Sequence, residues 1–192
     1  MKVIDYYFSP VSPWTYLGHQ RFAEIAAHAG GVVNAKPVDY GVIFPVSGGL
    51  PLGKRAPQRQ AYRLAELARW RDLLKLPLTI QPKYFPVDGT QGAYLIAGAE
   101  PSKRMTIALD ALSAVWVREE NIADAAVLSA IAGRHGVADA QAAIQSGKLA
   151  YEANTQEALA RNVFGAPTYA YKDELFWGQD RLDFLERALA RS

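Results

Sequence analysis

The chain has 192 residues and not one cysteine. That absence excludes a disulfide scaffold, a dithiol redox centre and a thiol nucleophile of the protein's own. Histidine is scarce too: His19, His28 and His135 are too far apart in sequence to suggest a shared metal ion. No phosphate loop, no G-x-G-x-x-G, no nucleophile elbow and no acidic pair of convincing spacing is present. The formal net charge of +2 is too small to argue for nucleic acid. No uncharged apolar run approaches the ~20 residues of a membrane span. No basic leader precedes an apolar signal core either. The expectation is a cytoplasmic protein that engages neither membrane nor nucleic acid.

What is present is most informative near the N-terminus. Val3, Ile4, Tyr6, Tyr7 and Phe8 form a short apolar, aromatic-rich run typical of a buried strand. It breaks at Ser9-Pro10-Val11-Ser12-Pro13-Trp14-Thr15-Tyr16. Proline in a helix's first turn loses nothing by lacking an N–H, and serine before it is a favoured N-cap. Ser12 therefore reads as the N-cap and Pro13 as the first helical residue. This puts a hydroxyl among unpaired N–H groups at the positive end of a helix dipole, where an anion is stabilised. In C-x-x-C redox proteins the same geometry lowers the pKa of the reactive thiol. Here the segment is Ser12-Pro13-Trp14-Thr15, so the anion must come from outside.

Half of the residues are hydrophobic and 21% are charged, ordinary for a globular chain able to bury a sizeable core. The pattern predicts a helix over Thr15 to Ala29, stopped by Gly30-Gly31, and a second strand over Val32 to Val38. A β-α-β unit of this kind implies parallel strands and a right-handed crossover. Gly41 to Ala56, rich in glycine and proline, reads as irregular. Helices are expected over Gln58 to Leu76, Met105 to Arg118, Ala123 to His135, Val137 to Gly147 and Tyr151 to Asn162, with Pro77 and a loop from Pro82 to Gly92 as punctuation. After Gly165-Ala166-Pro167 the pattern returns to strands, Thr168 to Tyr171 and Leu175 to Trp177, around Lys172-Asp173-Glu174. A last helix runs from about Arg181 to Leu189. One sheet built from both ends of the chain, interrupted by helices, accounts for this order.

The segment from Asp5 to Leu17 resembles the start of the 2-hydroxychromene-2-carboxylate isomerases. These are relatives of the kappa-class glutathione transferases, within the DsbA-like branch of the thioredoxin superfamily. Val163-Phe164-Gly165-Ala166-Pro167-Thr168 and Phe176-Trp177-Gly178-Gln179-Asp180-Arg181-Leu182 match in the expected order. Tyr62 through Arg69-Trp70 and the stretch from Leu76 to Pro86 resemble the family's helical part. The resemblance spans essentially the whole chain. It implies an α/β, thioredoxin-like fold of DsbA/kappa type, with residues 1–40 and 163–192 forming the thioredoxin-like unit and 41–162 an all-helical insertion. It also implies glutathione as cofactor and a homodimer.

The family's catalytic serine falls on Ser12, whose hydroxyl would favour the glutathione thiolate. Its cis-proline falls on Pro167, with Ala166 before it offering main-chain N–H and C=O groups to the cysteinyl part of glutathione. The glutamyl end would lie near Gln179 and Asp180, a carboxylate suiting an α-ammonium; many relatives carry Asn or Ser where this chain has Gln179. On the substrate side the resemblance points to Lys54, Arg55 and Arg59, and to Tyr84 in a neighbouring loop. The segment from Pro51 to Lys75 holds seven Lys/Arg against Glu66 and Asp72. A solvated helix face accounts for most of these, with one or two left to meet a substrate carboxylate. Ser12 taken alone is no more than a cap, and the late Gly-Ala-Pro is what favours a functional reading. His19 lies about 10 Å along the helix from Ser12 and receives no role.

The reaction implied is cis–trans isomerisation of a ring-opened aromatic pyruvate by reversible addition of a borrowed thiolate. The competing readings are a kappa-like transferase, in which the thiol leaves with an electrophile, and a non-enzymatic or degenerate thioredoxin-fold protein that binds peptides or a partner through the old active face. Ser12, Pro167 and Asp180 together speak against the last.

Overall fold

The computed structural model describes residues 1–191. Strands β1 (Lys2–Phe8), β2 (Gly31–Pro37), β3 (Thr168–Tyr171) and β4 (Glu174–Trp177) form one sheet in the order β2-β1-β3-β4. β1 and β2 run parallel, joined by helix α1 (Pro13–His28), while β1–β3 and β3–β4 are antiparallel. Both ends of the chain therefore build the sheet, as the sequence pattern requires. Between them lie α2 (Tyr40–Ser47), α3 (Pro57–Leu74), α4 (Thr90–Gly98), α5 (Pro101–Trp116), α6 (Ala125–Arg134) and α7 (Ala140–Ala160). Helix α8 (Leu182–Ala190) closes the described chain.

Side chains on a strand alternate between faces, and here both faces of β1 are covered. Ile4, Tyr6 and Phe8 join Phe22 of α1, Tyr169 of β3 and Ile107, Leu112 and Trp116 of α5 in one apolar cluster. Tyr7 points the other way, with Val38, Ile43, Ala158, Val163 and Ala170, under α2 and α7. A polar tie reinforces that second face. Tyr7 Oη donates to Glu157 Oε1 at 2.5 Å, and Lys36 Nζ bridges Glu157 and Asp5 at 2.6 and 2.9 Å.

Three sequence expectations need correction. The segment read as irregular from Gly41 contains α2, despite Pro45 inside it. Asp39 caps its start by accepting from the Gly41 N–H at 2.7 Å, Gly48 ends it at φ 76°, and burial of Tyr40 and Ile43 outweighs the one hydrogen bond a proline removes. Helix α4 starts within the expected loop from Pro82 to Gly92 and continues through residues that received no helix. The expected break after Gly147 does not occur, and α7 runs unbroken for 21 residues. Gly147 and Gly98 are instead the points of closest approach between α7 and α4. A Cβ on Gly147 would lie 1.9 Å from the Tyr94 carbonyl oxygen, and one on Gly98 1.9 Å from that of Ala143.

Candidate active site

The turn after β1 gives Ser12 its position. Its backbone is extended, at φ −81° and ψ 124°, and its Oγ accepts from the Thr15 N–H at 3.2 Å. Its own N–H donates to Ser9 O at 3.1 Å, and Pro13 opens the helix. The cap is the one the sequence predicts. It leaves a half-buried hydroxyl at the positive end of a 16-residue helix.

Tyr7 lies opposite Thr168, so Pro167 stands beside the Phe8 end of β1, from which the chain turns to Ser12. The Ala166–Pro167 peptide bond is cis, as expected. Neither the N–H nor the carbonyl of Ala166 is hydrogen-bonded among the described residues. Pro167 O is taken, accepting from the Gly178 N–H at 2.9 Å. Gly178 sits at φ 94°, with Asp180 Oδ1 2.6 Å from where a Cβ would be. Only glycine fits that turn. It delivers Gln179 to Gly18 on the second turn of α1, where an added Cβ would be 2.7 Å from Gln179 Cβ. Gln179 is buried, whereas Asp180 is exposed and pairs with Arg181. Strand ends and helix start thus bring Ser12, Ala166, Pro167, Gln179 and Asp180 to the same end of the sheet.

The substrate-side residues form a separate group. Tyr84 lies in the loop leading to α4, partly exposed, with Lys83 Nζ 5.0 Å from its ring centroid. The far end of that loop meets the Ser12 turn, since a Cβ on Gly89 would be 2.7 Å from Val11 Cγ1. Lys54 and Arg59 are exposed. Arg55 Nε donates to Leu50 O at 2.8 Å, and its pKa is lowered by burial and by the nearby Arg59 charge. One turn along α3 from Arg59 stands Arg63, a buried cation not singled out from sequence. It follows Arg59 by four residues on α3, on a helix face that local sequence does not mark as buried.

Behind the site lies a second feature that sequence reasoning passed over. His19 is 2% exposed, with Nε2 3.0 Å from Met105 O and Nδ1 3.2 Å from Tyr6 Oη. A carbonyl only accepts, so Nε2 carries the proton and Nδ1 accepts from the tyrosine hydroxyl. Burial pushes the imidazole pKa down to about 4 and holds it neutral. Its place is structural, pinning α1 between β1 and α5. Among the described residues no group of side chains could hold a metal ion, and no helix is long and apolar enough to cross a membrane.

A mixed sheet built from both ends of the chain, a capped helix after its first strand and a cis-proline at the start of β3 define a DsbA-like thioredoxin fold. The chain matches the DSBA-like thioredoxin domain over residues 3–190. It is 30% identical over 196 residues to a 2-hydroxychromene-2-carboxylate isomerase of Pseudomonas putida, covering 98% of this chain and 95% of that one. It is 29% identical to a 2-hydroxychromene-2-carboxylate isomerase of Sphingobium xenophagum, covering 98% of both. The chain belongs to the 2-hydroxychromene-2-carboxylate isomerase family and is an isomerase. A solved structure of an enzyme of that name superposes with a TM-score of 0.86 at 24% identity, over 98% of this chain and 95% of that one. The rat glutathione S-transferase kappa 1 is a more distant relative, 21% identical over 96% of this chain and 89% of its own length.

Proposed function

We propose that the protein is a glutathione-dependent cis–trans isomerase of 2-hydroxychromene-2-carboxylate-like, ring-opened aromatic pyruvates. The observation that carries the reading is Ser12 Oγ at the start of α1 in a chain without cysteine. The residues present fit glutathione. Ser12 offers a neutral hydroxyl beside a positive helix end, Ala166 offers an unpaired main-chain N–H and C=O, and Asp180 offers an exposed carboxylate for an ammonium. The kappa-class relative, by its name a glutathione enzyme, supports the same cofactor.

Bound there, glutathione would supply a thiolate that adds to the conjugated carbon, leaves a rotatable single bond, and departs unchanged. The chain's own work is to hold that sulfur as an anion and to orient it. The hydroxyl of Ser12 would donate to the sulfur while an oxygen lone pair keeps the Thr15 N–H, so cap and catalytic contact can coexist. The α1 dipole adds to the same stabilisation. Cations of the Lys54, Arg55 and Arg59 group, with Tyr84, would face the substrate carboxylate and the enolate oxygen that develops. No protein residue changes its covalent state in this scheme. In this reading the protein would act as a cytoplasmic homodimer, with residues 41–162 as a helical insertion bearing the substrate side.

A panel assay tests the reading. Ring-opened aromatic pyruvates should change absorbance only when glutathione is added, with no thiol consumed. A chloronitrobenzene-type electrophile that consumes thiol at a comparable rate would move the protein to the second reading, a kappa-like transferase. Absence of saturable glutathione binding at millimolar ligand would sink both.

A further inference from the structure

Arg63 is the most unusual charged residue in the fold. Its side chain is 9% exposed, its Nη2 is fully buried, and its guanidinium makes no hydrogen bond or ion pair with any described residue. The Cζ lies 5.2 Å from the Phe85 ring centroid and 5.8 Å from that of Trp116, both within cation–π range. Stacking holds the plane of the fork but satisfies none of its N–H donors. Trp116 Nε1, in the same aromatic enclosure, is likewise buried without a partner. Thr15 Oγ1 and Tyr169 Oη are also buried without partners, but those are neutral hydroxyls, whereas a charged group left unpaired costs more.

The surrounding charges sharpen the point. Of the acids in this segment, Glu66 is taken by Arg69 and Asp72 by Arg71. Lys54, Arg55, Arg59 and Arg63 are left with no carboxylate among the described residues. The Arg55 charge is close enough to join burial in drawing the Arg63 pKa down to about 10. Such a cluster repels itself until an anion is added.

We propose that Arg63, packed against the paired rings of Phe85 and Trp116, is the residue that reads the carboxylate of the substrate, with Arg55 and Arg59 as flanking charges. A planar fork with all its donors free matches a carboxylate in two-point geometry, which a lysine cannot reproduce. The aromatic walls fix its orientation before the ligand arrives, so little freedom is lost on binding. The position is right as well. Phe85 lies in the loop whose far end, Gly89, meets Val11 next to Ser12, where a Cβ on the glycine would be 2.7 Å from Val11 Cγ1. This inference rests on the proposed isomerase reading and adds the group that would select acids over their neutral esters.

The test uses calorimetry on the full chain, R63M and R63K, with benzoylformate, methyl benzoylformate and reduced glutathione as probes. Wild type should bind benzoylformate about tenfold or more tighter than the ester, the worth of a charge-assisted hydrogen bond. R63M should lose that preference while binding glutathione as wild type does. R63K, which keeps the charge and loses the fork, should fall between and carries the same test if R63M fails to fold. Equal binding of acid and ester by wild type would overturn the proposal and leave the orphaned donors to ordered water. An undiminished preference in the variants would overturn it too. Failure of wild type to bind glutathione would instead strike the isomerase reading, since acid preference is measured without the thiol.

Discussion

Ser12 Oγ accepts a hydrogen bond from the Thr15 N–H at 3.2 Å, while the hydroxyl's hydrogen has no partner inside the described fold. A hydroxyl in this state can serve two masters, capping the helix with a lone pair and donating to an anion with its proton. The two roles separate by substitution. Ser12→Ala should cost about 0.5–2 kcal/mol of stability through the lost cap. It should also slow glutathione-dependent turnover about 10- to 150-fold, the equivalent of one hydrogen bond to a charged group. Ser12→Asn keeps a good cap and loses the hydroxyl, so it should melt like wild type and still be slow. If Ser12→Asn turns over normally, the residue is a cap and nothing more.

Asp180 is exposed beside Arg181, which bounds what it can contribute. Asp180→Asn should weaken glutathione binding about two- to fivefold, the range of solvent-exposed charge pairs. A glutathione analogue lacking the α-amino group should bind both forms equally. Calorimetric titration of the two ligands against the two proteins checks this, and an equal loss for both ligands would assign Asp180 to the turn at Gly178.

Gly18 is the contact through which α1 holds the segment carrying Gln179 and Asp180. A methyl there would stand 2.7 Å from Gln179 Cβ and 2.9 Å from Tyr169 Oη. Gly18→Ala should cost about 1–3 kcal/mol by overpacking. It should also raise the glutathione concentration needed for half-saturation, because the displaced turn carries one end of the site. A shift in melting temperature with unchanged glutathione binding would show that the turn relaxes independently.

The ends of the chain were legible because local chemistry decided them. Ser12-Pro13 specifies a cap, Gly30 a stop, and the run around Lys172 a tight hairpin. The middle was less legible because long-range packing decided it. Gly147 is a poor helical residue by intrinsic propensity, yet it lies inside α7 since Tyr94 and Gly98 require the backbone to come close. Pro45 looks like a breaker, yet α2 forms because Tyr40 and Ile43 have an apolar face to cover. Arg63 counted as one more cation on a basic helix. Nothing in the local sequence announces that Phe85 and Trp116, far away in the chain, pack together against it.

Gly147→Ala tests the middle directly. Its methyl would meet a backbone oxygen at 1.9 Å, so α4 and α7 must move apart. In an exposed helix the same change would stabilise by up to about 1 kcal/mol. Here the melting temperature should fall, by overpacking worth about 1–3 kcal/mol or more. A rise would mean that the two helices are not in contact at these glycines.

His19 gives the protein a predictable acid sensitivity. In the unfolded chain an imidazole titrates near 6.5, while burial between Tyr6 and Met105 draws the folded pKa down to about 4. Between these values the unfolded state binds the proton and the folded state does not, so unfolding becomes easier as pH falls. Stability from this residue is complete above about pH 6.5, declines from there to about pH 4, and is flat below. The full change is on the order of 3 kcal/mol. Denaturant melts at intervals across this window should show the decline in wild type. In His19→Gln, which has no proton to take up, the slope should be shallower by about one proton. Parallel profiles for the two proteins would mean that His19 titrates in the folded state as it does in water, and that the Tyr6–His19–Met105 chain does not hold the ring neutral.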